Sequence, residues 1–214
     1  MKVMAFNGSP RKDWNTATLL GKVLEGAAAQ GAEVEMIHLY DLAFTGCTSC
    51  FACKTKGGKS YGRCAARDGL TPVLARAAEA DALVLGSPIY FACVTGEMKS
   101  FMERLLFPYC VYDKPRSSLF PGKVRAAFVY TMNVTEAEMK ERGYDVHIAT
   151  NGRFLERVFG NCETLTACDT WQFADYGRVV SDYFDMDRKT RSRQETFPAD
   201  CAAALRLGER HVTA

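Results

Sequence analysis

The sequence predicts a doubly wound α/β fold, in which a five-stranded parallel sheet of order 2-1-3-4-5 lies between two layers of helices. Three observations lead to this prediction. Strand-length apolar runs alternate with helix-period segments along most of the 214 residues. The run Ala82–Gly86 is almost entirely apolar, which is typical of a strand buried on both faces. A Gly-Ser-Pro turn and a helix follow the first strand directly, and right-handed crossovers between such units are typical of a doubly wound sheet.

The elements are predicted in chain order. Strands are expected at 2–6, 33–39, 82–86, 124–131 and 163–167, and helices at 15–30, 71–80, 96–106 and 136–159, with a break near Gly143. Residues 41–68 and 88–96 are predicted loops, and the polar run 188–193 is predicted to face solvent. We divide the chain into a cofactor-binding domain, 1–183, and a helical extension, 184–214, that packs on the domain or on a partner subunit.

Composition excludes several classes of protein. A net charge of +2 gives no reason to expect nucleic acid as a partner, and no apolar run approaches the length of a membrane span. The first residues form a strand and not a signal peptide, so we predict a cytoplasmic protein without membrane contacts. Nine cysteines in such a chain are expected to be thiols or metal ligands.

The turn after the first strand predicts a phosphate site. A helix N-terminus behind a hydroxyl-rich turn presents free N–H groups to an anion. The turn matches neither the nucleoside-triphosphate fingerprint nor the dinucleotide fingerprint, so it suits one terminal phosphate, as on flavin mononucleotide (FMN). An ordinary capped helix start is the alternative. The predicted donors are Ser9, Arg11, Asn15, Thr16 and Thr18, with Lys12 adding charge.

The loop after the third strand is unusually apolar and aromatic for a solvent-exposed loop. It reads Pro88-Ile89-Tyr90-Phe91, and it should lie beside the phosphate turn because the carboxyl ends of parallel strands share one sheet edge. Such a loop suits a flat conjugated ring. A buried crossover or a dimer contact is the alternative. The loop that follows the fourth strand contains Thr131 and Asn133, and by the same rule it should share this edge.

Together these motifs resemble a known family. Gly-Ser-Pro-Arg-Lys near the N-terminus, and Gly-Ser-Pro-Ile-Tyr-Phe followed by Thr-Gly-Glu-Met-Lys-Ser-Phe-Met-Glu-Arg, are similar to the flavodoxin-like NAD(P)H-dependent FMN reductases, in the branch related to iron–sulfur flavoproteins. The resemblance implies FMN on the residues named above, NAD(P)H as co-substrate, and a homodimer or homotetramer. It implies hydride transfer from NAD(P)H to N5 of FMN and on to a small acceptor such as a quinone or flavin.

A cysteine cluster leaves an alternative open. Cys47, Cys50 and Cys53 recur at intervals of three, and Cys64 follows after a Gly/Lys-rich insert. Four thiolates could hold a [4Fe–4S] cluster or a structural zinc ion, or the loop could contain free thiols. With a cluster, the chain would be an iron–sulfur flavoprotein electron carrier. The insert is longer than is usual in the cluster-binding relatives. The other cysteines, Cys93 among them, are predicted to be structural.

Overall fold

The computed structural model describes residues 1–213. The strands are β1 (Lys2–Asn7), β2 (Glu33–His38), β3 (Ala82–Tyr90), β4 (Cys93–Val94), β5 (Arg125–Thr131) and β6 (Glu163–Ala167). The helices are α1 (Asn15–Ala29), α2 (Thr71–Ala77), α3 (Gly96–Leu106), α4 (Glu136–Glu141), α5 (Tyr144–Phe159), α6 (Met186–Arg191) and α7 (Phe197–Thr213).

The predicted sheet is confirmed. Five parallel strands lie in the order β2-β1-β3-β5-β6, which is the predicted 2-1-3-4-5 once the two-residue β4 is set aside. Two apolar clusters cover its faces: one joins the sheet to α2, α3 and α5, and the other joins it to α1 and α7. Because the five strands are parallel, their carboxyl ends all lie at one edge of the sheet.

The prediction of a plain loop over 88–96 is wrong in part. Strand β3 continues to Tyr90 and pairs with the antiparallel β4, where Ile89 lies opposite Val94. Phe91 and Ala92 form the two-residue turn, with φ of 49° and 65°. A turn of this kind matches the twist of a hairpin but places two non-glycine residues in the left-handed region, which is a locally strained backbone.

The C-terminal segment is helical and packs on α1. Its charged part differs from the prediction, since Lys189 and Ser192 in the run expected to face solvent are buried. A five-residue π-helical turn, Ser192–Thr196, separates α6 from α7. The backbone stays helical on both sides of this turn, and α7 packs along α1.

Within residues 1–213, no helix combines the length and the apolar character that crossing a membrane requires.

Candidate functional site

A cavity of about 620 Å³ opens at the carboxyl edge of the sheet, and this volume lies in the usual range for small-molecule sites. The loops after β1, β3, β5 and β6 meet there, so the predicted convergence of separate loops is observed. Lining residues that the sequence predicted are Ser9, Arg11, Asn15, Thr16, Pro88, Ile89, Tyr90, Phe91, Thr131 and Asn133. Lining residues that it missed or left unassigned are Trp14, Met132, Tyr144, Thr170, Trp171, Gln172, Phe173 and Ala174.

The phosphate turn and the aromatic hairpin are joined directly. Thr95 Oγ1 donates to the Gly8 carbonyl oxygen at 2.7 Å, and the Gly8 N–H donates to the Gly86 carbonyl at 2.8 Å. A Cβ atom at Gly8 would lie 2.8 Å from Cβ of Met98, so only glycine fits there without movement. These contacts hold the two loops in one relative position.

The N-terminus of α1 is suited to an anion. Its N-cap, Trp14, makes no side-chain capping bond, and the first turn carries no acidic residue. Arg11 is the only charged side chain that lines the cavity among the described residues. The partial positive charge of the helix end and the guanidinium group therefore act without a competing carboxylate. Lys12 points elsewhere, since its ammonium group pairs with Asp41 at 2.7 Å.

The segment after β6, residues 171–174, is held against the phosphate turn by hydrogen bonds. Asn15 Nδ2 and Trp14 Nε1 donate to the Trp171 carbonyl at 2.7 and 2.9 Å, and Arg11 Nη1 donates to the Gln172 carbonyl at 2.6 Å. Tyr176 supports the segment from behind, because its hydroxyl accepts the Gln172 N–H at 2.9 Å. Residues 171–174 therefore form a wall of the cavity.

The walls also suit a flat ring. Tyr90, Phe91, Trp171 and Phe173 are aromatic, and Pro88 contributes an apolar edge. The Trp171 indole N–H is buried and has no hydrogen-bond partner among the described residues. A buried donor without a partner at a cavity wall is a position where a ligand acceptor is expected. This donor set, together with the uncapped helix end, fits a singly phosphorylated ring cofactor.

One predicted donor does not reach the cavity. Thr18 lies one turn further along α1, and it is absent from the lining residues. The aromatic stretch 170–176 follows the last strand, and the sequence leaves open whether it walls a pocket or lies in an oligomer interface. The structure places residues 170–174 at the cavity. Tyr144 had no such signal, because the sequence does not reveal how the N-terminus of α5 is oriented.

The four cysteines of the long loop approach one another. Cys47, Cys50, Cys53 and Cys64 all line one cavity of about 30 Å³. Residues 1–213 nevertheless contain no group of three or more His, Cys, Asp or Glu side chains arranged to hold a metal ion. Burial raises the pKa of the Cys53 thiol. As described, the loop is a thiol cluster and not a formed metal site.

Arg104 holds this cysteine loop closed. The guanidinium group is fully buried and donates to both carboxylate oxygens of Asp68, at 2.5 and 3.1 Å, to the Thr45 carbonyl at 3.0 Å and to Cys64 Sγ at 3.1 Å. These hydrogen bonds lower the pKa of the Asp68 carboxyl. One side chain thus fastens the beginning and the end of the loop, which was not predicted.

The remaining cysteines are mostly structural. Burial raises the pKa of Cys162 and of Cys168 to about 11, which keeps both as thiols. Cys93 differs from the prediction because it is exposed in β4.

Comparison with known families decides the assignment. The family model described as NADPH-dependent FMN reductase matches residues 1–148, which is more than half of the chain. The chain belongs to the NADPH-dependent FMN reductase family. The predicted family is therefore confirmed, and the match includes the phosphate turn, the aromatic hairpin and β5.

Curated relatives of this FMN reductase family member include iron–sulfur flavoproteins. One from Methanocaldococcus jannaschii is 38% identical over 104 residues, covering 49% of this chain and 51% of the relative. One from Archaeoglobus fulgidus is 41% identical over 104 residues, covering 49% and 48%. The chain is thus matched to about half the length of the curated relatives.

Solved structures confirm the fold of this family member. An NAD(P)H:quinone oxidoreductase from Methanothermobacter marburgensis superposes with a TM-score of 0.69 at 15% identity, covering 97% of this chain and 96% of that one. An FMN-dependent NADH-azoreductase from Bacillus anthracis, solved in complex with FMN, gives 0.65 at 14% identity, covering 97% and 100%. At these identities the likeness establishes the flavodoxin-like architecture alone.

Proposed function

We propose that this chain is an FMN-dependent NAD(P)H oxidoreductase that reduces a small acceptor such as a quinone or a free flavin. The observation that carries the proposal is the cavity in which an uncapped, carboxylate-free helix N-terminus adjoins an aromatic hairpin. The family match supports FMN as the cofactor and NAD(P)H as the co-substrate. Bound FMN would supply the atom that accepts and donates hydride.

The residues divide into two sets in this proposal. Ser9, Arg11, Asn15 and Thr16 would hold the phosphate, together with the N–H groups of the first turn of α1. Pro88, Ile89, Tyr90 and Phe91 would hold the ring on one side, and Thr131 and Asn133 on the other. Trp171 and Phe173 would exclude water from the ring.

Two further expectations accompany the proposal. Nine free cysteines favour a reducing compartment, so we place the protein in the cytoplasm. Phe91 is fully exposed at the hairpin tip although it is a large aromatic residue in a strained turn. We expect this tip to be buried against a second copy of the chain, in the homodimer or homotetramer that the family resemblance implies.

The phosphate assignment predicts the effect of one isosteric substitution. Asn15→Asp places a carboxylate in the first turn of α1, where it suits the helix end but repels a bound phosphate. It also removes the Nδ2 donor that binds the Trp171 carbonyl of the cavity wall. We expect FMN affinity to fall roughly ten- to hundredfold, about 1–3 kcal/mol, while the helix stays intact. FMN titration followed by flavin fluorescence measures this change.

Thr18→Val is the control, because Thr18 lies on the same helix but does not line the cavity. Its FMN affinity should equal that of the unmodified protein. Equal affinities for all three proteins, or failure of the unmodified chain to bind FMN at all, would contradict the proposed site.

A second candidate function is an electron carrier with an iron–sulfur cluster on the cysteine loop. The specific observation in its favour is that Cys47, Cys50, Cys53 and Cys64 line one cavity. The same loop would have to rearrange, since its thiols do not form a metal-ligand set in residues 1–213. The curated relatives support this candidate by their names alone.

Iron content separates the two candidates. The protein is purified anaerobically and treated with ferrous iron and sulfide. If it is an electron carrier, we expect about four iron atoms per chain and an absorption shoulder that dithionite removes. The variant Cys53→Ser should then lose both signals, whereas Cys93→Ser, outside the loop, should retain them. A chain that binds FMN but takes up no iron would exclude the carrier and leave the oxidoreductase.

A further inference from the structure

A second groove on the molecule is lined by arginines. It has a volume of about 430 Å³ and lies between the loop that precedes β5 and the outer face of α5. Only six residues line it: Pro115, Arg116, Thr150, Arg153, Phe154 and Arg157. It shares no lining residue with the cavity proposed for FMN.

No ion pair in residues 1–213 offsets the charge of the three arginines that line this groove. None of them forms an ion pair within the described part of the chain, although Arg76, Arg104, Arg142, Arg188 and Arg210 all do. Two carboxylates lie nearby in sequence: Asp113, which accepts the Ser117 N–H, and Glu156, which is exposed on α5. Neither forms an ion pair with these arginines in residues 1–213. Three cations around one open groove repel one another, and an anion between them would offset this repulsion.

Two of the three guanidinium groups make hydrogen bonds within the chain, although Arg116 and Arg153 are exposed. Arg157 Nη2 donates to the Val111 carbonyl at 2.9 Å, and Arg153 Nη2 donates to Thr150 Oγ1 at 2.9 Å. Arg157 Nε is buried and has no acceptor in residues 1–213. A buried donor without a partner carries a desolvation cost that a ligand oxygen would relieve.

The backbone also holds Arg116 at the groove. Its φ is 58°, in the left-handed region that residues other than glycine, asparagine and aspartate rarely adopt. A strained non-glycine backbone combined with an unpaired charge is a combination found at ligand sites. Phe154, about half exposed, adds a flat apolar surface beside the charges.

From these observations we infer that the groove binds a nucleoside diphosphate, with its phosphates on Arg116, Arg153 and Arg157 and its base against Phe154. Arginine forks match phosphate oxygens in pairs, and three positive charges balance the charge of a diphosphate. Aromatic rings stack on bases, and the volume suits a ligand of this size.

Isothermal titration of the FMN-saturated protein at low salt tests the inference, with ADP, inorganic pyrophosphate and adenosine as probes. We expect ADP to bind more tightly than pyrophosphate and adenosine to show no measurable binding. Added salt should weaken the binding of ADP. Arg153→Ala should weaken ADP about tenfold or more. Phe154→Ala should bring ADP to the affinity of pyrophosphate.

Arg116→Gly is the most informative variant, because glycine adopts the observed φ without strain while the charge is removed. It should fold normally and still lose about tenfold in ADP affinity. Arg206→Ala is the matched control, because Arg206 is exposed on α7 and forms no ion pair in residues 1–213. This variant should bind ADP as before. FMN affinity should be unchanged in every variant.

Three results would overturn the inference. ADP affinity that is unchanged in Arg153→Ala and Arg116→Gly would place the ligand elsewhere, including the nicotinamide-cofactor position of the first cavity. An equal loss in Arg206→Ala would indicate a general effect of charge. Equal binding of ADP and pyrophosphate to the unmodified protein would exclude a nucleotide. Each result is independent of whether FMN chemistry occurs.

Discussion

Replacing Gly208 by alanine is expected to destabilise the protein by about 3 kcal/mol or more, because an added methyl group cannot be accommodated where α7 crosses α1. A Cβ atom at Gly208 would lie 1.9 Å from the Val23 carbonyl oxygen and 2.9 Å from the Ala27 nitrogen. At Gly26 it would lie 2.0 Å from the Leu205 carbonyl oxygen. The atoms that would clash belong to the backbone, so no side-chain rotation relieves the contact.

The two helices must therefore separate in either variant. Ala204 and Leu207 of α7 pack with Leu19 and Val23 of α1 in the apolar cluster on this face of the sheet. Separation weakens all of these contacts at once. Thermal and denaturant unfolding of Gly208→Ala and Gly26→Ala should show a large loss. The double variant should cost less than the sum, because both glycines serve one crossing.

Gly21→Ala is the matched control on the same helix. An added Cβ at Gly21 meets nothing within 4 Å. Alanine in a helix interior is favoured over glycine by roughly 0.5–1 kcal/mol, so this variant should be slightly more stable than the unmodified protein. Unchanged unfolding of Gly208→Ala would show that the helices do not cross at this contact.

The fold was predictable because its determinants are local. The apolar run Ala82–Gly86 indicates a strand buried on both faces, and crossover handedness then orders the sheet. The sheet-edge rule brought the loops after β1, β3 and β5 together without any knowledge of contacts. The hairpin was missed because the pairing of Ile89 with Val94 is not evident in a segment that contains Pro88 and two aromatic residues.

The contacts that the sequence could not reveal join residues that are far apart along the chain. Gly26 and Gly208 look like weak points in two separate helices until the crossing brings them together, 182 positions apart. Lys189 lies in a polar run that is typical of a solvated helix face. One of its acceptors, the Asn133 carbonyl, is 56 residues away. No periodicity indicates that a lysine will be fully buried.

That buried lysine leads to the second large prediction. Lys189 has no exposed surface, and its Nζ lies 2.6 Å from the Asn133 carbonyl oxygen, 3.2 Å from the Thr170 carbonyl oxygen and 2.6 Å from Asp169 Oδ1. Burial lowers the pKa of its ammonium group, although Asp169 favours the charged form. Lys189 thus links α6 to the segments that follow β5 and β6, and both segments border the cavity.

Lys189→Met should destabilise the protein by about 3–5 kcal/mol, since it leaves a buried carboxylate without its closest partner and removes the donor to two carbonyls. The segments it joins continue into Asn133 and Trp171, which line the cavity. If the FMN site is as proposed, FMN affinity should fall as well, even though Lys189 does not itself line that cavity. Denaturant unfolding and FMN titration measure the two effects separately.

Arg188→Met provides the comparison that makes this test specific. Arg188 is the neighbouring residue and binds the same carboxylate, with Nε 3.0 Å from Asp169 Oδ2, but its side chain is 40% exposed. A solvent-exposed ion pair contributes roughly 0–1 kcal/mol, so this variant should change stability little and FMN affinity not at all. Equal losses of stability and of FMN affinity in the two variants would mean that a positive charge beside Asp169, from either residue, accounts for the effect. A much larger loss in Lys189→Met would mean that the buried ammonium group holds the cavity walls through the carbonyls that Arg188 does not reach.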